Sequence, residues 1–287
     1  VMYGLGAWPF RVVWATLPLT AGPLFAAALD STRTGFRTAV SLGLWGCWAA
    51  LLIIAFVPRS LSLTALRIGA VASAPAGIWA ALDPGDAGNL ARIGGLVACL
   101  LASFAVLAPD LGDQFADGSS YGDERRFLLR PAAALLLGPI LTAWMAVVVG
   151  ATAGPLWLAD QHWIIGALAT IVGWPLAGFA ARALHTLSRR WLVFVPAGVV
   201  LHDGLALREP VLFARNEVQH LQPAPADSTA FDLTLGAYGL ALELRLRTPR
   251  EIGKARDPEG GVVAVEALLT TPSLPGRVTN HALDRLT

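Results

Sequence analysis

Six apolar runs, each long enough to cross a bilayer, restrict this chain to folds built on membrane helices. They are Val12–Leu29, Ala39–Val57, Leu61–Leu82, Leu90–Pro109, Pro131–Ala153 and Trp163–Ala183. A hydrocarbon core about 30 Å thick needs roughly 20 apolar residues in a helix. Lipid offers no partner for an unpaired N–H or C=O, so each run has to satisfy its own backbone. Composition agrees: 55% of the 287 residues are hydrophobic and 14% charged, with a mean hydropathy of +0.59. An ordinary soluble domain carries about 25% charged residues. These grounds all but exclude a soluble enzyme.

The first run follows Arg11 and ends near Ala26-Ala27-Ala28, as a signal peptide would. It is longer than a signal-peptide core and five further runs follow, so an uncleaved helix is expected. Arginines near the helix ends set the orientation. With the C-terminus in the cytoplasm, the inner side holds Arg11, Arg59, Arg67, Arg125, Arg126, Arg130, Arg182, Arg189 and Arg190, and the outer side Arg33, Arg37 and Arg92. Both termini are therefore expected in the cytoplasm. The outer connections Asp30–Thr38, Asp83–Asn89 and Gly154–His162 are too short for a domain. The single lysine, Lys254, amid many arginines, alanines, glycines and prolines points to a GC-rich genome and a bacterial cytoplasmic (inner) membrane.

This divides the chain into a six-helix transmembrane domain, 1–187, and a cytoplasmic domain, 188–287, with the Asp110–Phe127 stretch as a solvated loop. The second part reads as mainly antiparallel β. Trp191–Pro196 and Val199–His202 are aromatic and β-branched, and Asp203-Gly204 is a turn signal. Leu205–Leu207, Val211–Phe213, Phe231–Leu235 and Val262–Leu269 continue the strands. In Leu240–Arg247, alternation puts Glu243, Arg245 and Arg247 on one face and Leu242, Leu244 and Leu246 on the other. Lys254–Gly261 reads as a polar loop, and Pro275–Leu286 as a terminal helix with Val278, Ala282 and Leu286 at helical spacing.

Several residue runs of this tail resemble a bacterial pleckstrin-homology-like domain placed at the end of an actinobacterial-type polytopic membrane protein. They are Trp191–Val195, Gly198–Leu201, Val211–Leu221 with its Glu217-Val218 to Leu221 step, and the Thr271–Gly276 approach to the helix. The resemblance implies binding, scaffolding or docking at a membrane surface, without catalysis. The tail departs from lipid-binding members in charge, with eleven basic and eleven acidic residues from Arg189 onward.

Ionisable residues inside a membrane mark transport paths. Here Arg67 sits about two turns inside the third run. It is either a snorkelling anchor or a ligand for substrate or lipid phosphate. Arg125, Arg126, Arg182, Arg189 and Arg190 are the other candidates for headgroup contact. Gly69, Ser73, Gly77 and Ala81 recur every four residues and form a smooth ridge for helix packing or for docking a partner. Pro18, Pro23, Pro75, Pro139 and Pro175 mark possible breaks in the runs. Asp110, Asp113 and Asp117 are the nearest approach to a metal cluster, and they lack the motif context of a phosphatidyltransferase. Cys47 and Cys99 lie in apolar runs, and the five histidines are scattered.

No P-loop, nucleophile elbow or zinc-protease histidine pair occurs. No cofactor and no nucleic-acid partner are expected, since net charge is only +1. The expectation is an accessory or scaffold protein whose partners are the bilayer and another membrane or cytoplasmic protein. A permease or lipid flippase, and a metal-dependent lipid-modifying enzyme, are the alternatives.

Overall fold

A computed structural model describes residues 5–83, 85–255 and 261–286. Most of the expected polar loop Lys254–Gly261 lies outside the described residues. Within them, six helical stretches are long and apolar enough to cross a membrane: Trp8–Asp30, Thr34–Ile54, Ser60–Leu82, Asn89–Val106, Pro139–Ala159 and Trp163–Leu187. The chain is a polytopic membrane protein with a sheet domain and a C-terminal helix.

The first stretch is two helices, α1 (Trp8–Thr20) and α2 (Gly22–Asp30), joined at Ala21 just before Pro23. α3 (Thr34–Ile54) is continuous, whereas the third stretch divides into α4 (Ser60–Val71) and α5 (Ser73–Leu82) ahead of Pro75. Proline has no N–H to donate and its ring crowds the preceding turn, so both divisions fall just N-terminal to one. α6 (Asn89–Val106) is followed by α7 (Pro109–Asp117). After β1 (Arg125–Leu128) comes a single turn, α8 (Ala133–Leu136), and then α9 (Pro139–Ala159) and α10 (Trp163–Leu187). The fifth span was expected from Pro131. It begins at Pro139, because the chain turns at Leu137-Gly138 and proline is favoured at a helix start.

The chain forms two compact units, 1–114 with 142–184 and 115–141 with 185–287. In the first unit the apolar surface is stapled by side-chain bonds to backbone carbonyls. Trp14 Nε1 donates to the Trp48 carbonyl at 3.0 Å, and Trp48 Nε1 returns a bond to the Trp14 carbonyl at 2.8 Å. Arg11 Nε donates to the Ala55 carbonyl at 3.0 Å, its guanidinium lying 4.7 Å from the Phe56 ring. Trp144 Nε1 donates to the Ile68 carbonyl at 3.0 Å. Each bond satisfies a donor that lipid would leave bare.

α9 and α10 approach through glycines. A Cβ on Gly150 would lie 2.6 Å from the Gly173 carbonyl oxygen, and one on Gly154 would lie 2.6 Å from the Thr170 amide nitrogen. Small residues let backbones come this close, which is the main source of helix association in lipid.

The second unit holds two sheets. β1, β2 (Trp191–Val195), β3 (Gly198–His202) and β4 (Val211–Ala214) form one, antiparallel in that order. β5 (Val218–Pro223), β6 (Phe231–Asp232), β7 (Leu242–Gly253) and β8 (Val262–Thr270) form the other, ordered β5-β7-β8-β6, with β6 parallel to β8. α11 (Pro275–Leu286) buries Val278 and Ala282 and packs against β5. The interior runs from Phe127 through Leu192, Phe194 and Phe213 to Leu244 and Leu268. Phe127 and Phe194 meet edge to face at 5.7 Å. Such a pair contributes about 0.5–1.5 kcal/mol beyond its burial.

β1 comes from the stretch expected to be a solvated loop, and it pairs in register with β2: Arg125 opposite Phe194, Arg126 opposite Val193, Leu128 opposite Trp191. Its far edge is also held, since Arg130 N–H donates to the Thr271 carbonyl at 2.9 Å and Ser273 N–H to the Leu128 carbonyl at 2.8 Å. Leu205–Leu207 is a turn rather than the expected strand. The Asp203 carboxylate accepts the Leu205 N–H at 3.1 Å and its carbonyl accepts the Leu207 N–H at 2.8 Å, which folds the backbone back on itself. The alternation in β7 holds through Arg247, then a register irregularity between Arg245 and Arg250 opens the ladder.

Candidate functional site

One group of charged side chains in the sheet domain gathers on β1, β2 and the turns next to them. Arg190 is the most buried of them. Its Nε and one terminal nitrogen donate to the two Asp203 oxygens at 2.8 and 2.7 Å, and the other terminal nitrogen donates to the Arg130 carbonyl at 2.8 Å. Both members of this pair are almost wholly inaccessible. Arg125 pairs with Asp117, whose other oxygen accepts the Arg126 N–H at 3.0 Å. Arg126 donates to Glu124 at 3.0 Å and lies 4.9 Å over the Trp191 ring. Trp191 in turn stacks on His202 at 5.2 Å, and His202 Nδ1 bonds the Arg189 carbonyl at 2.8 Å. A column Arg126–Trp191–His202 thus crosses β1, β2 and β3.

These arginines are already engaged by the domain's own carboxylates, aromatics and carbonyls. Chemically they brace β1, β2 and the turns beside them, and a bound anion would have to compete with Asp117, Glu124 and Asp203. Arg189 is exposed, and the Nε atoms of Arg126 and Arg130 are both buried and make no hydrogen bond among the described residues.

A second cluster sits on the polar face of β7. Glu243 is buried and accepts bonds from Ser228 Oγ at 2.5 Å and from Arg245 at 3.0 and 2.8 Å. The Ser228 hydrogen bond holds its carboxyl below the usual range against the opposing effect of burial, with Arg245 and then His220 adding to the lowering. A carboxylate kept ionised and saturated in this way anchors the Ser228 loop and has no proton to give.

His281 on α11 packs against both the Phe127 and Phe194 rings, 5.7 and 5.0 Å away, completing a triangle of rings. Burial lowers its pKa first, then the charges of Arg285 and Arg125, while Asp284 and Asp117 pull the other way. Its Nε2 is buried without a hydrogen-bond partner among the described residues.

In the first unit, a side chain on Gly69 would meet Leu51 of α3, and one on Gly77 would meet Cys99 of α6 at 2.7 Å. Ser73 Oγ donates to the Cys99 carbonyl at 3.0 Å and lies 3.1 Å from Ser103 Oγ, while Ala81 is buried beside Leu24 and Ala28. All four ridge residues therefore face helices of the same chain. Arg67 is half-buried on α4, and its Nε makes no hydrogen bond among the described residues. Arg182 is exposed on α10. A shallow groove of about 230 Å³ between α5 and α6 is lined by Ile78, Leu82, Ile93, Leu96 and Val97, with Arg92 its only charge.

Asp110, Asp113 and Asp117 share α7. Asp113 is buried, and Asp117 is held by Arg125, the Arg126 N–H and Ser120. Among the described residues no group of three or more His, Cys, Asp or Glu side chains is placed to hold a metal ion. Sequence reasoning missed β1 as a strand and left Arg130 out of the headgroup candidates, although among the described residues its Nε is as unbonded as those of Arg67 and Arg126. The spacing of Gly150 and Gly154 was readable as a packing motif and was also missed. Comparison with protein-family models, curated proteins and solved structures returns no match.

Proposed function

We propose that this protein is a non-catalytic membrane scaffold, its sheet domain a pleckstrin-homology-like binding module on the cytoplasmic face of a bacterial inner membrane. The observation that carries this reading is the pairing of β1 with β2. This module takes a strand from the segment between the fourth and fifth spans, so it is built from two stretches of chain that flank a pair of membrane helices. Two sheets closed by an amphipathic C-terminal helix support the pleckstrin-homology-like assignment, and the arginine bias of the loops supports the cytoplasmic side.

The saturated state of Arg190, Glu243 and Arg125 favours a structural role for the charged groups over catalysis. A protein partner fits best at β4, which among the described residues pairs only with β3 and leaves Leu212 exposed. A free sheet edge accepts an added strand through main-chain hydrogen bonds. The test is affinity purification of the full chain in nanodiscs, with mass spectrometry of companions present at near-unit ratio. A companion is expected with the native chain and not with Leu212→Pro. A lone protein, or a companion indifferent to that change, contradicts the reading.

A permease reading has one observation in its favour, the unsatisfied Arg67 Nε within a membrane-spanning stretch. It requires solute flux in proteoliposomes that Arg67→Ala abolishes.

A further inference from the structure

We propose that the Leu235–Leu240 turn of the sheet domain inserts into the interface of the same bilayer that α9 crosses, with Arg130 at the level of the lipid phosphates. The turn is built rather than loose. Asp232 Oδ1 accepts the Thr234 N–H at 2.7 Å, Thr234 Oγ1 accepts the Gly236 N–H at 3.1 Å, and the Thr234 carbonyl accepts the Ala237 N–H at 3.1 Å. It also holds Leu235 at φ +54°, a left-handed conformation leucine seldom takes. The braced turn displays Leu235, Tyr238 and Leu240 at 36%, 64% and 50% exposure. An apolar cluster with a tyrosine at its centre matches the boundary between acyl chains and headgroups, where aromatic residues with one polar end concentrate.

Two contacts within the sheet domain place this turn beside the start of the membrane span. A Cβ on Gly236 would lie 3.9 Å from Ala133, the first residue of α8, and one on Gly239 would lie 3.0 Å from the Arg130 guanidinium carbon. From Ala133 the chain runs through a helical turn and Leu137-Gly138 to Pro139, the first residue of the fifth span. The chain turns at Leu137-Gly138, so this path is one helical turn at about 1.5 Å per residue and then three residues of at most about 3.5 Å each, roughly 15 Å at full stretch. Gly236, beside Ala133, is therefore tethered within reach of the interfacial layer, about 5–8 Å thick, that borders the span. Leu136 and Leu137, 46% and 84% exposed, continue the same apolar surface down toward the span.

Arg130 supplies the matching charge. Its guanidinium lies beside Gly239 of the turn, and a cation at this level is attracted to anionic headgroups.

Power-saturation electron paramagnetic resonance on the full chain in nanodiscs of mixed phosphatidylcholine and phosphatidylglycerol tests this. The exposed Cys47 is replaced by serine and a nitroxide is attached at Tyr238→Cys, with the exposed Asp227→Cys as the aqueous reference. Unsubstituted Cys47→Ser protein controls for labelling of the buried Cys99. The expected result is a several-fold lower collision rate with water-soluble nickel complex at Tyr238 than at Asp227, together with a raised rate with oxygen. Leu240→Cys is a second label site with the same expectation, should Tyr238→Cys not fold. Nickel access equal to that at Asp227 overturns the proposal. Shielding from both nickel and oxygen overturns it too, since that is the signature of a protein contact. Arg130→Gln is expected to raise nickel access at Tyr238, and unchanged access removes Arg130 from the site.

Discussion

Leu128 lies directly opposite Trp191 across β1 and β2, although α9 and α10 both intervene between them in the chain. Two segments that pair in one sheet have to be on one side of a membrane. The pairing therefore agrees with α9 and α10 crossing as a hairpin, and it makes the stretch before α9 part of the same domain as the tail.

Arg190 and Asp203 are the group whose loss the sheet domain should feel most. Removing one partner of a buried ion pair leaves the other charged and unsolvated, at a cost of about 3–5 kcal/mol. Asp203→Ala is expected to unfold or loosen the sheet domain, read as loss of hydrogen-exchange protection across β2 and β3. The double variant Arg190→Met with Asp203→Leu is expected to recover part of that protection, because it leaves no orphaned charge.

His281 predicts a pH dependence of determined sign. Its folded pKa lies below the ordinary 6.5, so folding prefers the neutral ring. The stability it contributes is present above the ordinary value, and it is lost as pH falls toward the depressed folded value. Denaturant unfolding of the sheet domain, followed by near-ultraviolet circular dichroism, is expected to show falling stability between pH 7 and pH 5. His281→Leu is expected to flatten that slope, the remaining titratable groups contributing equally to both proteins.

Gly173 and Gly178 lie on the same helix and predict opposite outcomes. A Cβ on Gly173 would run into the Gly150 carbonyl oxygen, whereas one on Gly178 meets nothing within 4 Å. Gly173→Leu forces α9 and α10 apart, and overpacking of this kind costs about 1–3 kcal/mol. Thermal unfolding in detergent is expected to show a lowered midpoint for Gly173→Leu and an unchanged one for Gly178→Leu.

The parts legible in the sequence are those with a local signal. Lipid demands long apolar helices, so the six spans are readable from length and hydropathy alone. α11 has the bounds expected from Val278, Ala282 and Leu286, and β2, β3, β7 and β8 follow from aromatic, β-branched or alternating residues. β1 has no such signal, since Arg125-Arg126-Phe127-Leu128 is too short to show a period and finds its partner only beyond two membrane helices. β5 hides for another reason: a register shift between Val218 and His220 breaks its alternation. The burial of Glu243 on the polar face of β7 depends on Ser228, which a loop brings from outside that strand. Likewise the exposed apolar turn around Tyr238 becomes meaningful only when Gly236 and Gly239 are seen beside Ala133 and Arg130.

The pairing of β1 with β2 is the account's central claim, and a disulfide across it is the most direct measurement. Arg126 and Val193 are opposed in the register. The Leu129 N–H donates to the Arg190 carbonyl, and the alternation of antiparallel pairs then makes Arg126 and Val193 a closely spaced, non-hydrogen-bonded pair. Such pairs have Cα atoms about 4.5 Å apart, within disulfide reach. In a Cys47→Ser background, Arg126→Cys and Val193→Cys would be combined with a protease site inserted between Asp160 and Gln161. The account predicts that the two cleaved fragments stay joined under oxidising conditions and part on reduction, while Glu124→Cys with Val193→Cys, out of register, does not join them. Fragments that separate without reductant in the Arg126–Val193 pair would contradict it.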